Sequence, residues 1–395
     1  MSISVKGFKA ASVSCGIKKS GRPDLSLIYS EVPAVASAVF TKNSVKAAPV
    51  LLSMKNSKNG CISAVVANSG NANAATGREG YKNAEKTASA VAAELPVRLG
   101  DVFVCSTGVI GVKLPVAKII AGVKAAARRL RPEGLEEAAR GIMTTDTFIK
   151  TAGAGLKLGG RKCGIFGMAK GSGMIHPDLA TMLCFILTDV SISKQMLDAA
   201  LRACVKESFN SITVDGDTST NDTALCLANG MAGNKPVKSS GSGYNAFLKA
   251  LSSVMVSLAK QIVRDGEGAS KFLEIEVKGA ADEKTARAAA MAIAKSLLVK
   301  TAAYGGDPNW GRVLSAVGNS GVKFREERIK IFFGGLKVVS GGTELKGFSE
   351  KKAHLALAEK EVRITVDLGA GKKSAKVWTC DLTEGYIKIN AHYRT

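Results

Sequence analysis

Histidine is scarce: three residues, His176, His354 and His392, serve a chain of 395. A catalytic triad centred on histidine therefore has few possible members. Aromatic residues make up only 5%, so a core drawn from the 46% of hydrophobic residues must rest on Ala, Val, Ile and Leu. The eight cysteines are scattered without a C-x-x-C pair, which excludes a spaced structural zinc site and gives no sign of a disulfide framework. They read as buried, reduced thiols. No phosphate loop of the G-x-x-x-x-G-K-[ST] kind, no G-x-G-x-x-G and no G-x-S-x-G is present. No apolar run approaches the roughly 20 residues that cross a bilayer, and the candidate at 182–187 is strand-sized. The first residues alternate apolar and polar positions and do not read as a signal peptide, so a cytoplasmic protein without membrane partners is expected.

What the chain has in excess is glycine, with 42 residues, and positive charge, with a net +22. The glycines predict many tight turns. The lysines are dispersed, with short clusters such as Arg128, Arg129 and Arg131, and no aromatic-and-basic stacking motif goes with them. A nucleic-acid partner is therefore not expected, and the charge is left to solubility or to attraction of acidic substrates. The length allows two or three domains or one large two-lobed unit.

Short β-rich runs at 25–30, 34–40, 61–67 and 101–106 predict strands. Ala-rich amphipathic periods predict helices at 84–95 and 116–130, with Pro115 suited to the first turn of the second. Further on, strands are expected at 162–168, 181–188 and 272–277. Helices are expected at 194–207, 244–264, 283–298 and 351–359. Helices and strands intermix, giving an α/β or α+β protein. The run Asp215-x-Asp217-x-Ser219 lacks the glycine and glutamate of a calcium loop and reads as a capped turn.

The most informative stretch is 170–187. A glycine-rich loop (Gly171, Ser172, Gly173) and Pro177 lead to Asp178-Leu179-Ala180, and a buried strand is expected to start at Thr181. Taken alone, Thr181 suits a strand start by propensity. Cutting the Ala180–Thr181 bond would give Thr181 a free α-amine, whose pKa near 7.7–8.0 lets it act as base toward its own hydroxyl. Such a site needs no histidine. A second element, Cys105-Ser106-Thr107-Gly108-Val109-Ile110-Gly111, is a strand running into a glycine turn, where N–H groups and a hydroxyl can hold an oxyanion.

Together these motifs resemble the ornithine acetyltransferase family, the bifunctional glutamate N-acetyltransferases of arginine biosynthesis. The resemblance runs through GFKAASVSCGIKKSGRPDLSLI, VVANSGNANAATG, CSTGVIG, GIMTTDTF, GMAKGSGMIHPDLATML, SFNSITVDGDTSTNDT, RDGEGASKF, DPNWGRV and INAHYRT. It implies self-cleavage before Thr181, giving an α chain (1–180) and a β chain (181–395) that stay associated and share one active site. It implies a ping-pong transfer in which Thr181 takes acetyl from N-acetylornithine, releases ornithine, and passes the acetyl to glutamate. Thr107 and Gly108 are implied to form the oxyanion hole. Thr144, Lys170, Glu267, Asn390 and Thr395 are implied substrate contacts, with Thr145 an alternative to Thr144. The implied fold is a four-layer α/β/β/α sandwich of the N-terminal-nucleophile-like type, assembled as an α2β2 heterotetramer. No metal or organic cofactor is needed. Acetyl-CoA as a second donor is left open, and a self-cleaving aminopeptidase or amidase that passes the acyl group to water is the alternative.

Overall fold

In the computed structural model, which describes residues 4–176 and 182–392, the apolar runs become strands of two separate sheets. The chain divides into two compact units. Among the described residues the first takes those up to Asn210 and Asp217–Ile262, and the second takes Ser211–Gly216 and those from Val263 to His392.

The first unit holds β1 (Phe8–Val13), β2 (Leu25–Phe40), β3 (Cys61–Asn71), β4 (Val102–Val109), β5 (Lys150–Leu158), β6 (Arg161–Lys170), β7 (Leu183–Thr188) and β8 (Thr223–Ala228). They form one sheet in the order β4-β3-β2-β8-β7-β6-β5, with β1 paired to β2. The pairs β3–β4 and β7–β8 are parallel and the rest antiparallel. Period-two alternation sends side chains to both faces. Ala64 and Val66 pack with Leu52, Ala84 and Ile119. These last three belong to helices α1 (Ala48–Ser57), α2 (Gly77–Glu94) and α3 (Val116–Ala127). Val65 and Ala67 pack instead with Phe103 and with Ala138 and Ala139 of α4 (Leu135–Gly141). A sheet covered on both faces explains why every residue of β7, LCFILT, is buried.

Two further helices, α5 (Lys194–Glu207) and α6 (Ser242–Arg264), follow. By length and composition α6 could cross a membrane, which the search for unbroken apolar runs in the sequence did not reveal. Its Phe247, Leu251, Val254, Leu258 and Ile262 are buried, and they recur at three- and four-residue steps. Val254 and Leu258 lie against Gly167 of β6, where an added Cβ would meet both at 2.8 Å. The apolar face of α6 thus fills the core of its own unit.

The second unit holds β9 (Phe272–Ala280), β10 (Lys330–Phe333), β11 (Leu336–Ser340), β12 (Thr343–Glu344), β13 (Glu361–Asp367) and β14 (Lys373–Cys380), in the order β12-β11-β10-β13-β9-β14. Its helices are α7 (Glu283–Lys295), α8 (Leu297–Gly305), α9 (Trp310–Gly318), α10 (Glu350–Ala358) and α11 (Glu384–His392). Ala286, Ala289, Ala290 and Ile293 bury the small-residue face of α7 in this core.

The mixed α/β class read from the sequence therefore holds, with several boundaries corrected. The expected strands 25–30 and 34–40 are one strand, β2, whose pairing with β3 slips between Tyr29 and Ala34. The expected helix 283–298 is two helices. Ser296 takes an extended conformation and its hydroxyl accepts from the N–H of Val299, capping a new helix. Pro115 is the N-cap of α3, one position before the first turn expected for it. The strand expected from Thr181 begins at Leu183.

Candidate active site

The first cluster lies where β3, β4 and β6 end. Near their ends β3 and β4 lose regular register at Gly70 and Asn71. Gly108 takes φ +131°, and a Cβ there would stand 2.4 Å from the carbonyl carbon of Gly70. Only glycine fits such a close backbone approach. The turn is held by side-chain amides. Ser106 Oγ donates to Asn68 Oδ1 at 2.6 Å, and Asn68 Nδ2 donates to the carbonyl of Asn71 at 2.9 Å. Asn221 Nδ2 spans the gap, donating to the carbonyls of Ala72 at 2.7 Å and Ser106 at 2.8 Å.

Thr107 and Lys170 meet inside this frame. Both are buried, at 4% and 3% exposure, and Lys170 Nζ donates to Thr107 Oγ1 at 3.1 Å. Because Thr107 Oγ1 accepts from an ammonium, the hydroxyl's own hydrogen is the group it offers onward, strengthened by the cation behind it. A hydroxyl and backbone at a strained glycine turn, backed by a buried positive charge, suit a developing oxyanion.

Asp146 fixes the surroundings. Its Oδ1 accepts from Lys150 Nζ at 2.6 Å and from the N–H of Gly171 at 2.8 Å, and its Oδ2 accepts from the N–H of Thr144 at 2.8 Å. The side chains of Asp146 and Lys150 are both fully buried. Burial pushes the Asp146 carboxyl up, but Lys150, Lys170 and the hydrogen bonds prevail and hold it at about 2. Thr145 Oγ1 is 2.6 Å from Ser172 Oγ. The TTDT segment and the glycine-rich loop are therefore tied together. Lys18 donates to the carbonyls of Pro23 at 2.9 Å and Met143 at 2.7 Å, and burial pushes its ammonium down to about 8.

The second cluster belongs to the second unit. Glu267 is 8% exposed and its Oε2 accepts from Asn390 Nδ2 at 2.9 Å, although 123 residues separate them. Gly268, at φ +69°, lets helix α11 dock, since a Cβ there would lie 2.3 Å from the nitrogen of Tyr386. Thr383 Oγ1 donates to the carbonyl of Gly268 at 2.5 Å and accepts from the N–H of Gly385 at 3.0 Å.

The structure thus brings Thr107, Gly108 and Lys170 together, places Thr144 on the same hydrogen-bond frame, and joins Glu267 to Asn390. Ala180, Thr181 and Thr395 lie outside the described residues. Sequence reasoning assigned no role to Asp146, Lys150, Asn68, Asn221 or Asp222. All but Lys150 sit in stretches quoted for the resemblance, so buried polar residues inside such stretches were the available signal. Among the described residues no group of three His, Cys, Asp or Glu side chains could hold a metal ion.

Comparison with known proteins agrees with the resemblance. The model of the ArgJ family matches residues 9–395. The chain belongs to the ArgJ family. It is 51% identical to the arginine biosynthesis bifunctional protein ArgJ of Symbiobacterium thermophilum, over 98% of this chain and 97% of that one. It is 50% identical to the protein of the same name from Geobacter sulfurreducens, over the full length of both. A crystal structure of the bifunctional ArgJ of Bacillus halodurans is 45% identical with a TM-score of 0.51, and it covers 53% of this chain and 98% of the solved one.

Proposed function

We propose that the chain cuts itself between Ala180 and Thr181, and that Thr181 then carries an acetyl group from N-acetylornithine to glutamate. The observation that carries this reading is the buried Lys170–Thr107 contact beside Gly108, in a member of a family whose relatives are named for arginine biosynthesis. In the first half-reaction the Thr181 hydroxyl attacks the acetyl carbon, its α-amine taking the proton. Charge develops on the acetyl oxygen, where Thr107 and the Gly108 N–H donate to it. The acetyl C–N bond then breaks, the ornithine nitrogen takes that proton as it leaves, and an acetyl ester remains on Thr181. In the second half glutamate's amine attacks that ester and departs as N-acetylglutamate, so one difficult transfer becomes two easier ones.

Both substrates carry carboxylates, and ornithine adds an ammonium. Lys170 offers a cation and Glu267 an anion for these groups, with Thr144, Asn390 and Thr395 as further contacts. Thr145 spends its hydroxyl on Ser172, which supports Thr144 as the contact. The pairing of Lys170 with Leu183 between β6 and β7 supports chains 1–180 and 181–395 remaining associated, since both sides of the cut stay in one sheet. That the solved relative's chain matches only 53% of this one, over 98% of itself, agrees with a protein made of two chains. The bifunctional names of relatives support acetyl-CoA as a second donor. We further propose an α2β2 assembly in the cytoplasm that needs no metal or organic cofactor.

Intact mass of the denatured protein tests the first step. Two chains that together account for the 41.0 kDa, the second beginning at Thr181, are expected. Acetyl transfer from N-acetylornithine should then require glutamate. A single uncut chain in folded protein, or acetate release without glutamate, would overturn the reading.

A further inference from the structure

The two carboxyl oxygens of Asp222 have unlike surroundings. Asp222 directly precedes β8 and is 1% exposed. Its Oδ1 accepts from the N–H of Met182 at 2.9 Å. Its Oδ2, also buried, has no hydrogen-bond partner among the described residues. The backbone around it is pinned. The N–H of Thr41 donates to the carbonyl of Asp222 at 2.9 Å, and the N–H of Thr223 donates to the carbonyl of Met182 at 3.0 Å. The neighbouring Asn221 is held by its bonds to Ala72 and Ser106. The carboxyl is therefore not free to swing out to water.

Holding one N–H needs only one acceptor oxygen, and the amide of an asparagine would supply it. A carboxylate with a second, unmatched oxygen in the interior is an expensive way to do so. The groups facing it are few. Lys170 and Ser219 favour its charged form, as does the N–H of Met182, but burial outweighs them and pushes the carboxyl well above the usual carboxylate range. It therefore keeps a proton under conditions where an exposed aspartate has lost its own.

We propose that Asp222 is the proton carrier for the cut before Thr181, an inference that rests on the self-cleavage proposed above. The Met182 nitrogen is covalently bonded to the carbonyl carbon of Thr181, so the N–H that this carboxyl accepts from belongs to the peptide bond following the residue that reacts in that reading. In the step, Thr181 Oγ1 bonds to the carbonyl carbon of Ala180 and the Ala180–Thr181 C–N bond breaks. Asp222 gives its proton to the departing nitrogen, which leaves as an amine, and receives the proton of the Thr181 hydroxyl. Its charge is the same before and after. Water then adds to the Ala180 carbonyl carbon and the ester C–O bond breaks. The Thr181 hydroxyl is restored, and a carboxyl group is left on Ala180.

The test is the rate of cutting of freshly made chain in cell-free synthesis, read by intact mass for wild type, Asp222→Asn and Asp222→Glu, with circular dichroism to report folding. Asp222→Asn keeps an acceptor for Met182 and should slow cutting on the order of a hundredfold or more. Asp222→Glu, worse in shape but still a carboxyl, should retain part of the rate. An uncut wild type would sink the self-cleavage reading itself. A cut wild type with an equally fast D222N would overturn only the role of Asp222, leaving it a strand anchor. Should D222N fail to fold, the pH profile of wild-type cutting decides. A rate that falls as pH rises through a carboxyl titration above the usual range supports the proposal, and a flat profile overturns it.

Discussion

At the end of β6, Lys170 is 3% exposed and its ammonium reaches Thr107 within a frame of buried amides and the Asp146–Lys150 pair. In the second unit, Glu267 is 8% exposed, yet α11, the helix that supplies its partner Asn390, buries none of its own residues. The first cluster is held from all sides by groups that are themselves held. The second rests on a helix whose bonds include those of Thr383 to Gly268, of Asn390 to Glu267 and of the Tyr386 hydroxyl, which donates to Asp215 at 3.4 Å. A helix with so little burial opens locally at low cost, whereas a buried ionic frame opens only with its unit. Charge stabilisation in a transition state demands fixed donors. Recognition of a flexible side chain tolerates, and can use, a partner that moves. Under the function proposed above, the first cluster would carry the chemistry and the second the selection of substrate.

The largest effect should come from Lys170. Lys170→Met removes the buried cation behind Thr107, and acetyl transfer should fall on the order of 10²–10³-fold. Single-turnover rates on processed protein would check this, and wild-type rates would erase the contrast. Asp146→Asn comes next and acts on stability. It removes the buried anion that Lys150 Nζ reaches at 2.6 Å, at a cost of about 3–5 kcal/mol measured by denaturant unfolding. The pH dependence sharpens the point. The folded carboxyl sits at about 2, below its ordinary 3.8, so its stabilisation is present above the unfolded value and is lost as pH falls through about 2. D146N should flatten that acid limb of the stability curve.

Much of this was legible in the sequence, for local reasons. Helix α5 starts and stops where its apolar period does, because Ser193 caps it through the N–H of Met196. β7 reads as one apolar run because both faces of its sheet are covered. The breaks were harder. The split at Ser296 is a cap inside a continuous apolar pattern, and the early start of α2 at Gly77 falls among polar residues with no period. In the candidate site, Thr107 and Lys170 could be named singly, but they lie 63 residues apart and only the folded chain brings them into contact. The same holds for Asp146 and Gly171, 25 apart, and for Asp222 and Met182, 40 apart. Spacing along a chain reports neighbours on one element. Asp222 instead meets Met182 through the pairing of β7 with β8, and Asp146 meets Gly171 through that of β5 with β6. Thr107 meets Lys170 although β4 and β6 are not neighbours in the sheet.

The smaller predictions concern the second cluster. Glu267→Gln keeps the shape and removes the charge, so KM for N-acetylornithine should rise about tenfold, the equivalent of one charged hydrogen bond, with kcat nearly kept. Asn390→Ala should do less. Asn390 is exposed and its amide donates to Glu267 at 2.9 Å. Its loss frees Glu267 to sample other rotamers and weakens the docking of α11, without emptying any packed space. KM should rise only about two- to threefold, and unfolding free energy should move by no more than about 0.5 kcal/mol. If N390A instead raised KM more than E267Q, the carboxylate would be the lesser partner. Asn390 would then be the stronger of the two proposed substrate contacts, and the helix would be the recognition element, with Glu267 as its support.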